Sequence, residues 1–166
     1  MDNALVIERV FDAPRQAVWD ALTTPEIMQK WWGPEHFTSP DFMMDFREGG
    51  KYHASMEGPM PDGKVVKVWS GGEYKKIIPL EKIVVTDFFS NEKGDKIRPE
   101  KAGMDPNFPD EMEVTFTFED AGDGKTKLTI IYPKPDSEAA VKAMIASGMN
   151  EGWNSSLDKL ARIVEK

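Results

Sequence analysis

The segment from Ser137 to about Val164 constrains the fold more than any other part of the chain. Apolar side chains recur there at intervals of three and four residues, which is the spacing of one helix face. They belong to Val141, Met144, Ile145, Met149, Trp153, Leu157, Leu160, Ile163 and Val164. The pattern predicts one helix of about 28 residues, roughly 42 Å long. So long an apolar face has to be buried on another large apolar surface.

The middle of the chain offers such a surface, because its hydrophobic pattern has a period of two. One face begins with Phe42, Met44 and Phe46 and continues, after a Gly-Gly turn, through Tyr52 and Met56. Alternation of this kind is typical of strands with one buried face. Further segments that read as strands lie at residues 65–79, 81–89, 111–120 and 126–133.

Short turn motifs join these strands and predict an antiparallel meander. Pro61-Asp62-Gly63 favours one turn, because proline presets φ and glycine accepts a positive φ. Gly122-Asp123-Gly124 predicts a second hairpin, and Gly71-Gly72 predicts a bulge or bend inside a strand. Residues 91–110 are rich in charge, glycine and proline, and they predict a long irregular loop.

Ahead of the meander, a strand at residues 4–11 is followed by two short helices. Asp12 is the expected N-cap of the first helix, with Pro14 in its first turn. The second helix is expected to begin at Thr24-Pro25 and to end at Gly33-Pro34.

Composition and charge disfavour several classes of partner and site. The 166 residues suit one domain over residues 1–166, and the net charge of −8 disfavours nucleic acids and anionic membranes as partners. The absence of cysteine excludes disulfides and zinc–thiolate sites. We expect a cytoplasmic protein, because the sequence has neither a signal peptide nor an apolar run of about 20 residues. No metal-ligand spacing, P-loop or G-x-S-x-G motif is found, so we expect no metal and no other cofactor.

Several motifs together resemble the family related to the C-terminal domain of the activator of Hsp90 ATPase. They are VFDAPRQAVWDALTTPEIMQKWWGP, DFREGGKY, GEYKKIIPLEKIVVT and GMNEGWNSSLDKL. The resemblance covers nearly the whole chain and places it in the START-like superfamily (SRPBCC, or Bet v 1-like), which includes polyketide cyclases and lipid or hormone carriers. It implies an α+β helix-grip fold. In that fold a curved antiparallel sheet of six to seven strands wraps around a long C-terminal helix, with two short helices after the first strand.

Helix-grip proteins keep a cavity between the long helix and the sheet, so the resemblance implies a ligand-binding site in this chain. The candidate lining residues are Trp32, Phe37, Met44, Phe46, Tyr52, Met56, Tyr74, Phe116, Met149 and Trp153. The alternative is that these side chains pack against the helix without a void, since protein interiors are close-packed. Gly148 and Gly152 leave a similar choice open between room for a ligand and a close approach or kink of the helix.

The two histidines are the polar candidates. His36 lies in the loop after the second helix, near the expected cavity mouth; it is a candidate acid or base, and the alternative is a solvated surface histidine. His53 alternates with Tyr52 and is therefore expected on the face opposite the apolar set. Trp31 and Trp32 point about 100° apart on a helix, and we expect Trp32 at the cavity mouth. No residue pattern assigns a catalytic role.

Three functions follow from these observations. The first is a binding protein for a hydrophobic small molecule, either lipid-like or of polyketide or aromatic type. The second is an enzyme of the polyketide cyclase/dehydratase type, acting by positioning and acid–base chemistry. The third, ranked last, is a regulator of an Hsp90-type chaperone ATPase, because the eukaryotic regulator uses an additional N-terminal domain and this chain begins its first strand at about Ala4. The ligand, the reaction and the choice between monomer and homodimer stay open at this point.

Overall fold

The computed structural model describes residues 3–165, which form a seven-stranded antiparallel sheet with four α-helices. The strands are β1 (Asn3–Phe11), β2 (Phe42–Met44), β3 (Lys51–Pro59), β4 (Val65–Ile78), β5 (Lys82–Ser90), β6 (Met112–Gly122) and β7 (Lys125–Pro133). The helices are α1 (Arg15–Thr23), α2 (Pro25–Trp31), α3 (Glu138–Ala146) and α4 (Met149–Val164), and a short 3-10 helix spans Pro99–Ala102. The strand order is β1-β7-β6-β5-β4-β3-β2. This arrangement confirms the predicted helix-grip fold.

The core lies between the sheet and the helices. Leu157 and Leu160 of α4, Val18 of α1 and Ile130 of β7 are fully buried and belong to one hydrophobic cluster. The helices contact the sheet mainly through β1 and β2, less through β6 and β7, and contact one another through α2 and α4. The predicted apolar face of the C-terminal segment is therefore buried as the pattern required.

The first helix begins later than predicted. Its N-cap is Pro14 rather than Asp12, because Pro14 has an extended backbone with φ of −69° and ψ of 156°. Asp12 instead donates its backbone N–H to Oε2 of Glu165 near the C-terminus, over 2.9 Å. The second helix begins at Pro25, as predicted, and ends at Trp31, two residues before Gly33.

Gly71-Gly72, where the sequence predicts a bulge or a bend, forms no bulge. Both glycines are paired in regular register, and the irregularity of β4 lies between Tyr74 and Lys76. Gly72 is required for a different reason, since a Cβ atom there would lie 1.8 Å from the carbonyl oxygen of Thr86 on β5. The glycine therefore permits a close approach of two backbones.

The prediction of one C-terminal helix of about 28 residues is wrong. α3 ends at Ala146, and α4, which has 16 residues, begins at Met149. Gly148 lies between them with φ of 81°, a left-handed conformation that commonly ends helices and favours glycine. The apolar spacing continues across this break, so the hydrophobic pattern alone indicated a single helix. None of the helices within residues 3–165 is long and apolar enough to cross a membrane.

The connection at residues 91–110 is largely irregular, as predicted, but it is packed on the sheet. Oδ1 of Asn91 accepts the backbone N–H groups of Lys93 and Asp95 over 2.9 and 3.0 Å, which fixes the first turn. Further along, Phe108 is only 4% exposed and its ring lies 5.7 Å from that of Phe89 on β5. The loop therefore covers one end of the sheet.

Candidate ligand-binding cavity

A cavity of about 290 Å³ lies between the sheet, α4 and the loop at residues 91–110. Its apolar lining residues are Trp32, Gly33, Pro34, Met56, Phe88, Phe89, Met104, Phe108, Pro109, Met112, Gly148, Met149, Gly152 and Trp153. The polar ones are Ser70, Asp87, Tyr132, Ser147 and Ser156. The lining is therefore mostly aromatic and methionine side chains with a few polar groups, which is the usual character of a small-molecule site.

A smaller pocket of about 40 Å³ lies deeper in the core. It shares Trp32, Asp87, Tyr132 and Trp153 with the larger cavity. Its other lining residues are Leu22, Met28, Trp31, Phe42, Tyr52, Tyr74, Ile83, Val85, Val114 and Phe116. The four shared side chains therefore stand where the two spaces meet.

Trp31 and Trp32 have different roles. Trp31 is fully buried and donates its Nε1–H to the carbonyl oxygen of Ala21 over 3.0 Å. That carbonyl would normally accept the N–H of the residue four positions later, which here is Pro25 and has none. Trp32 lines both spaces, and among residues 3–165 its Nε1 is the buried side-chain nitrogen or oxygen atom that lacks a hydrogen-bond partner.

The segment after Trp32 is attached to α4 by polar contacts. Nζ of Lys159 donates to the carbonyl oxygens of Gly33 and Phe37, each over 3.0 Å. The backbone N–H of Glu35 donates to Oγ of Ser155 over 2.7 Å. These contacts fix the chain that carries Trp32 at the edge of the cavity.

Asp87 supplies the ionisable group of the cavity. It follows Ile83 and Val85 on the inward face of β5, where alternation would favour an apolar residue. The Tyr52 hydroxyl donates to Oδ1 of Asp87 over 2.8 Å. Asp87 is surrounded by protein but accessible from within the cavity, and this burial raises the pKa of its carboxyl to about 6, against the opposing effect of the Tyr52 hydrogen bond.

Two tyrosine hydroxyls lie close to this carboxyl. Burial raises the pKa of Tyr52 and of Tyr132 well above the usual value for a phenol, and the charge of Asp87 acts in the same direction. Both phenols therefore stay neutral at physiological pH. The Tyr132 hydroxyl accepts a hydrogen bond from Nε1 of Trp153 over 2.8 Å, which keeps its own proton for another acceptor.

The structure brings together most of the residues predicted to line a cavity. Trp32, Met56, Met149 and Trp153 line the larger cavity. Tyr52, Tyr74 and Phe116 line the inner pocket, together with Trp32 and Trp153. That any of them contacts a ligand stays a prediction.

Three predicted residues lie elsewhere. Phe46 packs edge-on against Trp19 and Tyr74, with ring centroids 5.8 and 5.0 Å away. Met44 lies opposite Tyr52 of β3 and is half-buried at the margin of the core, and Phe37 lies over Gly58 of β3. β2 ends at Met44, so Phe46 lies outside the regular alternation of the strand.

The two histidines do not line the cavity. His36 is exposed, with φ of 72°, in the turn after α2. His53 lies on the opposite face of β3 from Tyr52, as alternation predicts. Its ring stacks on that of Trp69 at 4.6 Å, and its Nε2 lies 3.1 Å from the carbonyl oxygen of Asn91.

Sequence reasoning missed Asp87, Tyr132 and the loop residues Met104 and Phe108. The available signal for Asp87 was its place in IVVTDFF, two residues after the inward-facing Val85. The loop residues gave no such signal, since an irregular segment has no periodicity from which to read a buried face. Within residues 3–165 no group of three or more His, Cys, Asp or Glu side chains is arranged to hold a metal ion.

The chain is similar to known proteins in both sequence and fold. The sequence model of the family described as Activator of Hsp90 ATPase homolog 1-like protein matches residues 12–165. A crystal structure from Chromobacterium violaceum is 28% identical, with a TM-score of 0.70 over 98% of this chain and 96% of the other. A solution structure from Staphylococcus epidermidis is 26% identical, with a TM-score of 0.76 over 99% and 91%. A solution structure from Arthrobacter aurescens is 25% identical, with a TM-score of 0.76 over 96% and 84%. No curated protein matches the sequence significantly.

Proposed function

The chain belongs to the Activator of Hsp90 ATPase homolog 1-like family, and on that premise we propose that it is a binding protein for hydrophobic small molecules. The observation that carries the proposal is the cavity of about 290 Å³ between the sheet and α4. Ligand pockets commonly measure about 300–1,000 Å³, so this cavity suits a small ligand of roughly bicyclic aromatic size. Proteins with the START-like fold, which this chain has, commonly bind hydrophobic ligands.

The lining supports the same conclusion. Met56, Met149 and Phe89 offer flexible apolar surface, and burying apolar surface contributes about 25 cal/mol per Å². Regulation of an Hsp90-type chaperone, to which the family's name refers, remains a lower-ranked proposal. Such regulation would act through an outer surface, whereas the distinguishing feature of this chain is internal.

Native mass spectrometry and calorimetric titration with 1-naphthylmethanol, a neutral bicyclic probe, test the proposal. We expect a co-purified small molecule or saturable binding of the probe at one site per chain. The matched variant is Gly152→Leu, because a Cβ atom at Gly152 meets open space on the cavity side of α4. Filling the cavity in this way should abolish probe binding.

Glu151→Leu is the control, since it adds the same side chain at an exposed position of the same helix. It should bind the probe like the wild type. A wild-type protein that carries no small molecule and binds no probe would contradict the proposed function. So would Gly152→Leu binding the probe unchanged.

A second candidate function is catalysis of the cyclase/dehydratase type, and Asp87 is the observation in its favour. A carboxyl with a pKa of about 6 in an apolar cavity is suited to accept and return a proton near neutral pH. The Tyr52 proton is already donated to Asp87, whereas the neutral Tyr132 hydroxyl, which accepts from Trp153, keeps a proton to donate to a substrate carbonyl oxygen.

Exchange of the α-protons of 2-tetralone for deuterium tests this second candidate. Asp87 would take the α-proton while a phenol stabilises the enolate oxygen, so the exchange rate should rise with pH through about 6. Asp87→Asn should lose the acceleration and still bind 1-naphthylmethanol. Equal exchange rates for the wild type and Asp87→Asn would exclude catalysis by Asp87. They would not contradict the proposed ligand binding.

A further inference from the structure

The Asp87 carboxylate has no cationic side chain as a partner within residues 3–165. Among the described residues that line the cavity and the inner pocket, it is the only charged one. The Tyr52 hydroxyl donates to it, and none of the ion pairs found within residues 3–165 includes it. Buried carboxylates are ordinarily paired, because an isolated charge in an apolar environment is costly. A positively charged ligand group would supply the missing partner.

The shape of the two spaces suits such a group. Asp87 stands at their junction, with the inner pocket of about 40 Å³ on one side and the cavity of about 290 Å³ on the other. The inner pocket accommodates one small head group. The larger cavity has the volume and the apolar lining for the rest of the molecule.

The aromatic side chains at the junction favour the same charge. Trp32 and Trp153 line both spaces, and their rings lie 5.7 Å apart at 86°. The faces of indole and phenol rings attract ammonium groups through their quadrupoles. A cation beside Asp87 would therefore meet a carboxylate and aromatic rings together.

Resting on the proposed binding function, we propose that the ligands are hydrophobic amines whose ammonium group pairs with Asp87 and whose apolar body occupies the cavity. The same geometry disfavours fatty acids and other carboxylates. A second anion beside Asp87 would be repelled in a medium of low dielectric constant, with no cationic side chain in the described lining to offset it.

Calorimetric titration with three probes that share one ring system tests the inference. They are 1-naphthylmethylamine, 1-naphthylmethanol and 1-naphthoate, at pH 7.5. The amine should bind at least about tenfold more tightly than the alcohol, and the carboxylate should bind most weakly. In Asp87→Asn, which preserves shape and the Tyr52 contact, the amine and the alcohol should agree within about twofold. Asp136→Asn, at an exposed position, should keep the preference of the wild type.

A pH series on the wild type needs no variant. The titratable groups that face Asp87 are the phenols of Tyr52 on β3 and Tyr132 on β7, and both stay neutral. The side chains presented by the turn after α2, by β4 and by α4 are the uncharged Trp32, Ser70, Trp153 and Ser156. Affinity for the amine should therefore fall as pH drops through about 6 and Asp87 gains its proton, while affinity for the alcohol stays constant.

The outcomes separate the two proposals. If the wild type binds the alcohol as tightly as the amine, or if Asp87→Asn keeps the preference for the amine, the inference about amines is overturned and the binding function stands. If none of the three probes binds, the proposed binding function fails and the inference fails with it.

Discussion

The indole N–H of Trp153 on α4 donates to the hydroxyl of Tyr132 on β7 over 2.8 Å. This bond joins the C-terminal helix to the sheet across the wall that the cavity and the inner pocket share. Tyr132 is 2% exposed, so its hydroxyl depends on protein partners. The contact therefore ties α4 to β7 at the cavity wall.

A double-mutant cycle measures the strength of this contact. Trp153→Phe and Tyr132→Phe each remove one partner and keep an aromatic ring, and the double variant removes both. We expect a coupling free energy of about 0.5–1.5 kcal/mol in chemical denaturation, as for a neutral hydrogen bond in a protein interior. Strictly additive effects of the two substitutions would show that the bond contributes nothing to stability.

The two adjacent tryptophans should respond differently to replacement by phenylalanine. Trp31→Phe removes the donor that satisfies the Ala21 carbonyl, whereas Trp32→Phe removes an N–H that has no partner in the described structure. The free energy of unfolding should therefore fall by about 1–3 kcal/mol more for Trp31→Phe than for Trp32→Phe. Chemical denaturation of both variants under one condition checks the difference. Equal losses would contradict the assigned roles.

Replacing Gly148 and Gly152 by alanine should change the free energy of unfolding in opposite directions. Gly148→Ala should cost about 1–2 kcal/mol, because a side chain is strained at φ of 81°. Gly152→Ala should stabilise by about 0.5–1 kcal/mol, since the residue lies inside α4 and its new methyl group meets open space. Thermal melts of the two variants compare them directly. A destabilised Gly152→Ala protein would mean that the cavity wall has no room for a methyl group.

Asp87 should make stability depend on pH in a direction opposite to that of a salt-bridged carboxylate. Its folded-state pKa of about 6 exceeds the ordinary value of 3.8, so the folded protein binds the proton more tightly than the unfolded chain. The stabilising contribution of the neutral form is therefore complete below pH 3.8 and is lost as pH rises through about 6. The loss amounts to up to about 3 kcal/mol.

Asp87→Asn imitates the neutral form at every pH. Urea denaturation should show it more stable than the wild type at pH 7.5, with the difference shrinking toward zero near pH 4. Asp136→Asn, the exposed control, should show no such trend. A difference between Asp87→Asn and the wild type that stays constant from pH 4 to 7.5 would argue against a raised pKa of Asp87.

The tertiary structure differs from the sequence-based predictions where a local sequence pattern is compatible with more than one structure. Ser147-Gly148 ends a helix, yet the apolar spacing on either side continues as if nothing intervened. Gly71-Gly72 is compatible with either a bulge or a close approach of two strand backbones. Only the position of Thr86 on the neighbouring strand decides between them. The packing of Phe46 beside Trp19 likewise depends on where the short strand β2 ends.

The sequence by itself determined the architecture, because periodicity, turn residues and helix-ending residues are local properties that act within a few positions of one another. The alternation from Phe42 onward and the turn at Pro61-Asp62-Gly63 predicted the antiparallel meander, the apolar stripe predicted the C-terminal helical segment, and the family resemblance of the motifs added the helix-grip arrangement. Only the tertiary structure decided the site. Asp87 and Tyr52 are 35 residues apart in sequence, and their 2.8 Å contact arises because β5 and β3 both flank β4 and direct these side chains to the same face of the sheet. The size of the cavity was likewise set by packing between distant elements, which no local pattern records.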